Sequence, residues 1–142
     1  MAISLFEHNE TAYNAALSMM QKTGKAAIVH PTGTGKSFIG FKLCEDNPDK
    51  KICWLSPSEY IFKTQLENLS AVSDGYQPNN IVFFTYARLM NLTDGEIAEI
   101  QPDYIVLDEF HRAGAEEWGK GVRKLLKYYD NRPMLGLSDT NV

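Results

Sequence analysis

Ala26-Ala27-Ile28-Val29-His30-Pro31-Thr32-Gly33-Thr34-Gly35-Lys36-Ser37 is the stretch on which the fold turns. An apolar run of strand length enters a glycine-containing turn, and the residues after Ser37 carry the pattern of a helix. A turn of this kind suits nucleotide phosphates, because successive backbone N–H groups point inward and the helix dipole favours negative charge at its start. Gly33 and Gly35 supply positive-φ freedom and remove side chains from the approach. Lys36 offers a point charge to the β and γ phosphates, and Ser37 a hydroxyl for Mg²⁺. The phosphate-loop pattern asks for glycine at its first position, where this chain has His30.

Four more short apolar runs follow, Ile52 to Leu55, Ile81 to Phe84, Tyr104 to Leu107 and Met134 to Leu137. All are continuous rather than alternating, the pattern of strands covered on both faces, and they predict a mainly parallel sheet of about five strands. Helical spacing separates them: Tyr13, Ala16, Leu17 and Met20 before the first; Phe62, Leu66 and Leu69 after the second; Trp118, Val122, Leu125, Leu126 and Tyr129 after the fourth. Turn-rich breaks fall at Asn47-Pro48-Asp49 and between Asp74 and Asn80, with no internal repeat or linker. Alternation of this kind places every strand's C-terminal end on one edge, where open α/β sheets bind ligands. The polar residues collect there: His30 onward, Ser56-Pro57-Ser58, Thr85-Tyr86, Asp108-Glu109 and Ser138-Asp139-Thr140.

Composition narrows the class. The 142 residues suffice for one domain with a sizeable core, and 44% hydrophobic with 23% charged residues describes a soluble globular chain. No apolar run approaches the ~20 residues of a membrane span. Met1 to Glu7 lacks the basic start and apolar stretch of a secretion signal, so the expected location is cytoplasmic, with no membrane contact. Cys44 and Cys53 have neither metal nor redox spacing and are expected to be reduced core thiols; His8, His30 and His111 are too scattered for a metal site. A net charge of −4 argues against a simple basic clamp on nucleic acid. Acidic side chains dominate between Thr93 and Trp118, whereas Lys120, Arg123, Lys124, Lys127 and Arg132 face only Asp130 thereafter; that basic run is read as a solvated helix face in preference to a docking patch.

Asp108-Glu109-Phe110-His111 brings two carboxylates to the mouth of a buried strand. One acid beside a phosphate loop can hold Mg²⁺, and the next can orient or deprotonate an attacking water. With these residues in place, the chain resembles the first RecA-like domain of superfamily 2 helicases and translocases, in the broad DEAD/DEAH group that includes type III restriction motor subunits. The resemblance covers nearly the whole chain in motif order. His30 to Ser37 is similar to motif I, Ser56-Pro57-Ser58 to motif Ia, Thr85-Tyr86-Ala87-Arg88 to the motif after it, Asp108 to His111 to motif II in a DEFH form, and Leu135 to Asn141 to motif III.

The resemblance implies a three-layer RecA-like P-loop NTPase domain that binds ATP and Mg²⁺. Thr32, Gly33, Thr34, Gly35, Lys36 and Ser37 would hold the phosphates, Ser37 and Asp108 the Mg²⁺, and Glu109 the lytic water. His111 would relay the nucleotide state toward motif III, a core histidine being an equal reading. Ser56, Pro57, Ser58, Thr85, Tyr86 and Arg88 would touch the backbone of DNA or RNA, and Ser138 and Thr140 would couple the two sites; for the first group a helix cap or loop role is an even alternative. Asn9 stands where many members place an adenine-reading glutamine, with helix capping slightly preferred. Asp139 replaces the family's usual alanine in Ser-Ala-Thr, so its carboxylate either repels Asp108 and Glu109 or points to solvent. Residues 1–142 thus read as a single N-terminal ATP-binding motor domain that lacks the second RecA-like domain and its arginine fingers, and the isolated chain is expected to be nearly inert as an ATPase. The alternative is a nucleotide-binding interaction module that hydrolyses nothing.

Overall fold

In the computed structural model, residues 3–29, 35–110 and 116–138 are described, the side chains of 116–118 aside. The elements run α1 (Glu7–Thr23), β1 (Lys25–Val29), α2 (Lys36–Asp46), β2 (Ile52–Ser56), α3 (Glu59–Val72), β3 (Ile81–Thr85), α4 (Tyr86–Met90), α5 (Asp94–Ile100), β4 (Tyr104–Asp108), α6 (Glu116–Tyr129) and β5 (Met134–Ser138). The five strands form one sheet in the order β1-β5-β4-β2-β3, every pairing parallel.

Side-chain alternation along the strands divides the core into two halves. Ile52, Trp54, Val106, Leu135 and Leu137 belong to one apolar cluster, with Tyr13 and Met20 of α1, Ile39, Phe41 and Leu43 of α2, and Leu69 of α3. Cys53, Leu55, Ile105, Leu107 and Met134 belong to the other, with Leu89 of α4, Ile97 of α5, and Val122, Leu125 and Tyr129 of α6. Helix, sheet and helix therefore make three layers, as expected. Gly40 sets the spacing of the first half: a Cβ there would lie 2.6 Å from the Trp54 ring, so only glycine lets α2 close onto an indole stacked 4.7 Å from Phe41.

Not all five strands are covered alike. The three central strands bury nearly every residue, but β1 alternates, with Ala26 and Ile28 buried and Lys25, Ala27 and Val29 exposed, and β3 is half-buried throughout. These two are the sheet's edges, and an apolar run alone does not say which strands lie at an edge. Four strands also run one residue further than their apolar runs, ending at Ser56, Thr85, Asp108 and Ser138. The ladder continues through them because parallel pairing needs only backbone groups. The register sets Ser56 beside Thr85 and Val29 beside Ser138, with Asp108 beside Leu137, so the polar ends share one edge. The two turn-rich breaks are tied together by Asn80, whose amide donates to the carbonyls of Cys44, Asn47 and Lys50.

Candidate functional site

Gly35 ends the glycine turn in the left-handed region at φ 74° and stands at the N-cap of α2, a conformation that costs glycine nothing. Lys36 and Ser37 are the first two residues of that helix, and both are buried. From there the Lys36 side chain crosses to the end of β4. Its Nζ lies 3.4 Å from Asp108 Oδ1 and 3.1 Å from Glu109 Oε1, so one ammonium bridges both carboxylates. The Asp108 side chain is 0% exposed and that of Glu109 14% exposed. Removing one member of such a buried group would strand a charge, which makes the three residues energetically a unit.

Asp108 is held on all sides. Gln65 Nε2, from α3, donates to its Oδ2 at 2.9 Å, and the buried Tyr86 hydroxyl donates to its backbone carbonyl at 2.8 Å. Burial first, and then the Asp108 and Glu109 carboxylates, push the Tyr86 phenol well above its ordinary pKa, so it remains a donor at any physiological pH. Glu109 adopts φ 54°, an uncommon conformation for a side chain with a Cβ, on leaving the strand. Phe110 then lies against β5 at Gly136, where a Cβ would stand 3.1 Å from its ring.

Of the expected site residues, Gly35, Lys36, Ser37, Asp108 and Glu109 are thus gathered at one sheet edge. Thr32, Gly33, Thr34, His30, His111, Asp139 and Thr140 lie outside the described residues. Ser138 is buried at the end of β5. Asn9 does not cap α1: Phe6 holds that position, and Asn9 sits inside the helix, 1% exposed, its Nδ2 3.5 Å from the Gly35 carbonyl. Its amide thus reaches the residue that precedes α2. Ser58 and Thr85 are both N-caps, accepting from Ile61 and Arg88 N–H groups at 3.1 and 3.0 Å. Pro57 and Ser58 are half-exposed and Arg88 exposed, but Ser56 and Tyr86 are 0% exposed. The last two correct the expectation of a surface contact: Ser56 belongs to the sheet, and Tyr86 is spent on Asp108.

Gln65 belongs to none of the motifs above, but its position carries a signal. It falls three residues after Phe62 and four before Leu69, so it interrupts the apolar stripe of α3 with an amide. Cys44 and Cys53 are free buried thiols pushed up to about 12 by burial, as expected of core cysteines. Lys120, Arg123 and Lys127 are exposed along α6. Among the described residues no helix is long and apolar enough to cross a membrane.

The donor set suits Mg²⁺ and a triphosphate. Magnesium takes hard oxygen ligands and usually binds through one or two carboxylates, a hydroxyl, phosphate oxygens and water. Ser37 and Asp108 are buried oxygen donors at the helix start and strand end, and the Oε1 of Gln65, whose Nε2 holds Asp108, is buried without a hydrogen-bond partner among the described residues.

Residues 2–141 match the family described as type III restriction enzyme, res subunit. Among curated proteins none matches the sequence. Solved structures share the fold. The Sulfolobus solfataricus SWI2/SNF2 ATPase core, solved in complex with dsDNA, has 16% identity and a TM-score of 0.69 over 99% of this chain and 33% of its own. The Pyrococcus furiosus Hef helicase domain has 18% identity and a TM-score of 0.66, covering 94% of this chain and 33% of its own. A hypothetical ATP-dependent RNA helicase from Sulfolobus tokodaii has 18% identity and a TM-score of 0.66, covering 97% and 47%. The chain therefore spans between a third and a half of the solved chains it matches.

Proposed function

Because the chain belongs to the family of type III restriction enzyme res subunits, a family of helicase-like ATPase domains, we propose that it is the ATP-binding motor domain of a nucleic-acid-dependent helicase or translocase. The observation that carries this reading is the bridge from Lys36 to Asp108 and Glu109. A lysine at a helix start joined to two strand-end acids is what phosphoryl transfer asks of a protein: a cation for the phosphates, a ligand for the metal and a carboxylate for the water.

In this reading Lys36 exchanges its carboxylate partners for the β and γ phosphates. Asp108, freed of Lys36, would hold Mg²⁺ together with Ser37, and the ion would offset the charge of the phosphate oxygens. Glu109, released in the same step, accepts a hydrogen bond from the attacking water and orients it. Gly35 keeps the backbone close to the phosphates, and Asn9 holds Gly35 in place. Pro57, Ser58, Thr85 and Arg88 are the surface through which DNA or RNA backbone is contacted; Ser58 and Thr85 act there mainly by fixing the starts of α3 and α4. Transition-state charge is completed by arginines from a second RecA-like domain, a contribution of the order of 10³ to 10⁵ in rate in related phosphoryl transfers.

The test is turnover in the two-domain parent protein with and without nucleic acid. ATP hydrolysis stimulated by DNA or RNA supports a motor; equal turnover in both conditions contradicts it, and nucleotide binding with no turnover in either identifies a non-hydrolysing module instead.

A further inference from the structure

Gln65 is joined to the site at one end only. Its Nε2 donates to Asp108 Oδ2 at 2.9 Å, while its Oε1 is buried and accepts nothing among the described residues. Trp54 Nε1, another buried polar atom without a partner among the described residues, does not supply the missing bond. The carboxylate acceptor fixes which way the amide faces, since its nitrogen must point at Asp108 and its oxygen away. A buried amide oxygen without a donor is costly, and the cost is relieved when water is delivered to it. The neighbouring Asp108 is where a hydrated cation would arrive, because Mg²⁺ usually retains several of its waters when bound.

We propose that Gln65 is a positioning residue for the metal site: its Nε2 fixes the Asp108 carboxylate, and its Oε1 accepts a hydrogen bond from a water bound to Mg²⁺. The inference rests on the reading of Asp108 as a metal ligand. With Lys36 on Oδ1 and Gln65 on Oδ2, both oxygens of Asp108 are committed before nucleotide arrives. When Lys36 turns to the phosphates, Oδ1 becomes free for the cation, and Gln65 holds the carboxylate plane through the exchange. Partners that orient a metal ligand in this way typically influence metal affinity about 10–100-fold.

The experiment is a Mg²⁺ titration of fluorescent-ATP binding by the full chain, alongside binding in EDTA and electron paramagnetic resonance of Mn²⁺ in place of Mg²⁺. Gln65→Met keeps much of the side-chain volume and removes both polar atoms. The expected result is a half-saturating Mg²⁺ concentration raised about tenfold or more and Mn²⁺ weakened alike, with metal-free nucleotide affinity within about twofold. A purely structural brace would weaken binding equally with and without metal, and that result overturns the proposal. So does an unchanged Mg²⁺ midpoint in a variant that melts as the parent does. If Gln65→Met does not fold, Gln65→Asn, which keeps the amide but falls a methylene short, carries the same expectation. Absence of Mg²⁺-dependent nucleotide binding in the unsubstituted chain would instead overturn the reading of the whole site, and this inference with it.

Discussion

Lys36 Nζ lies 3.1 Å from Glu109 Oε1, so the cation expected on the phosphates is held by the acid expected on the water. In the proposed function each neutralises the other until Lys36 turns to the phosphates, and the two are then released together. Glu109→Gln should therefore separate binding from chemistry. Nucleotide affinity is expected to hold or to rise, since Lys36 loses a competing partner. Turnover in the two-domain parent should fall by about 10² to 10⁴, the usual contribution of a positioned general base. Calorimetry and steady-state hydrolysis measured on the same variant check both halves.

Gly40→Ala tests the packing that brings α2 to the sheet. The added methyl would meet the Trp54 ring at 2.6 Å, and a buried indole stacked on Phe41 has little room to retreat. Overpacking of this kind costs about 1–3 kcal/mol. Urea unfolding should show a lower midpoint by a corresponding amount, and an unchanged midpoint would mean that the helix shifts freely.

Much of this arrangement is legible in the residues themselves. The continuous apolar runs gave the number of strands and the parallel sheet, and the polar residue after each run marked the functional edge. Strand order was not legible, because the exposure of Ala27 and Val29 on β1 depends on which neighbours the strand acquires and not on its own composition. Tyr86 illustrates a second limit. As a residue following a strand it read as surface, and only the fold shows its hydroxyl reaching the Asp108 carbonyl, 22 positions away. Gln65 was hidden for a related reason: a polar residue in an apolar stripe announces a partner without saying which.

Tyr86→Phe and Arg88→Ala should divide stability from nucleic-acid affinity. Tyr86→Phe leaves a buried carbonyl without its donor, costing about 1–3 kcal/mol in thermal or denaturant melts, and should leave nucleic-acid affinity in place. Arg88 is exposed with its guanidinium over Phe84, and Arg88→Ala should leave stability nearly unchanged. For the two-domain parent it should weaken DNA or RNA binding and reduce the salt dependence of affinity by about one ion. Filter binding across a salt series checks this.

The alkaline pH dependence of stability begins with the buried thiols, and the buried Tyr86 phenol adds to it above its ordinary value of 10.0. Cys44 and Cys53 ionise near 9 in an ordinary environment and are pushed up to about 12 by burial, so the unfolded chain releases their protons first. Stability unaffected below pH 9 should then decline as pH rises toward 12, by up to about 1.4 kcal/mol per pH unit for each thiol. The same burial should keep both thiols slow toward disulfide reagents at pH 8 until denaturant is added. Denaturation midpoints at a series of alkaline pH values measure the slope.

The central claim is that Lys36, Ser37, Asp108 and Glu109 form a site for magnesium nucleotide, and calorimetric titration of Mg-ATP into the unsubstituted chain and into Lys36→Ala tests it most directly. Saturable binding by the first and a loss of at least about tenfold in affinity by the second are predicted, from removal of a charge-assisted contact to phosphate. Equal affinity for both proteins would contradict the account.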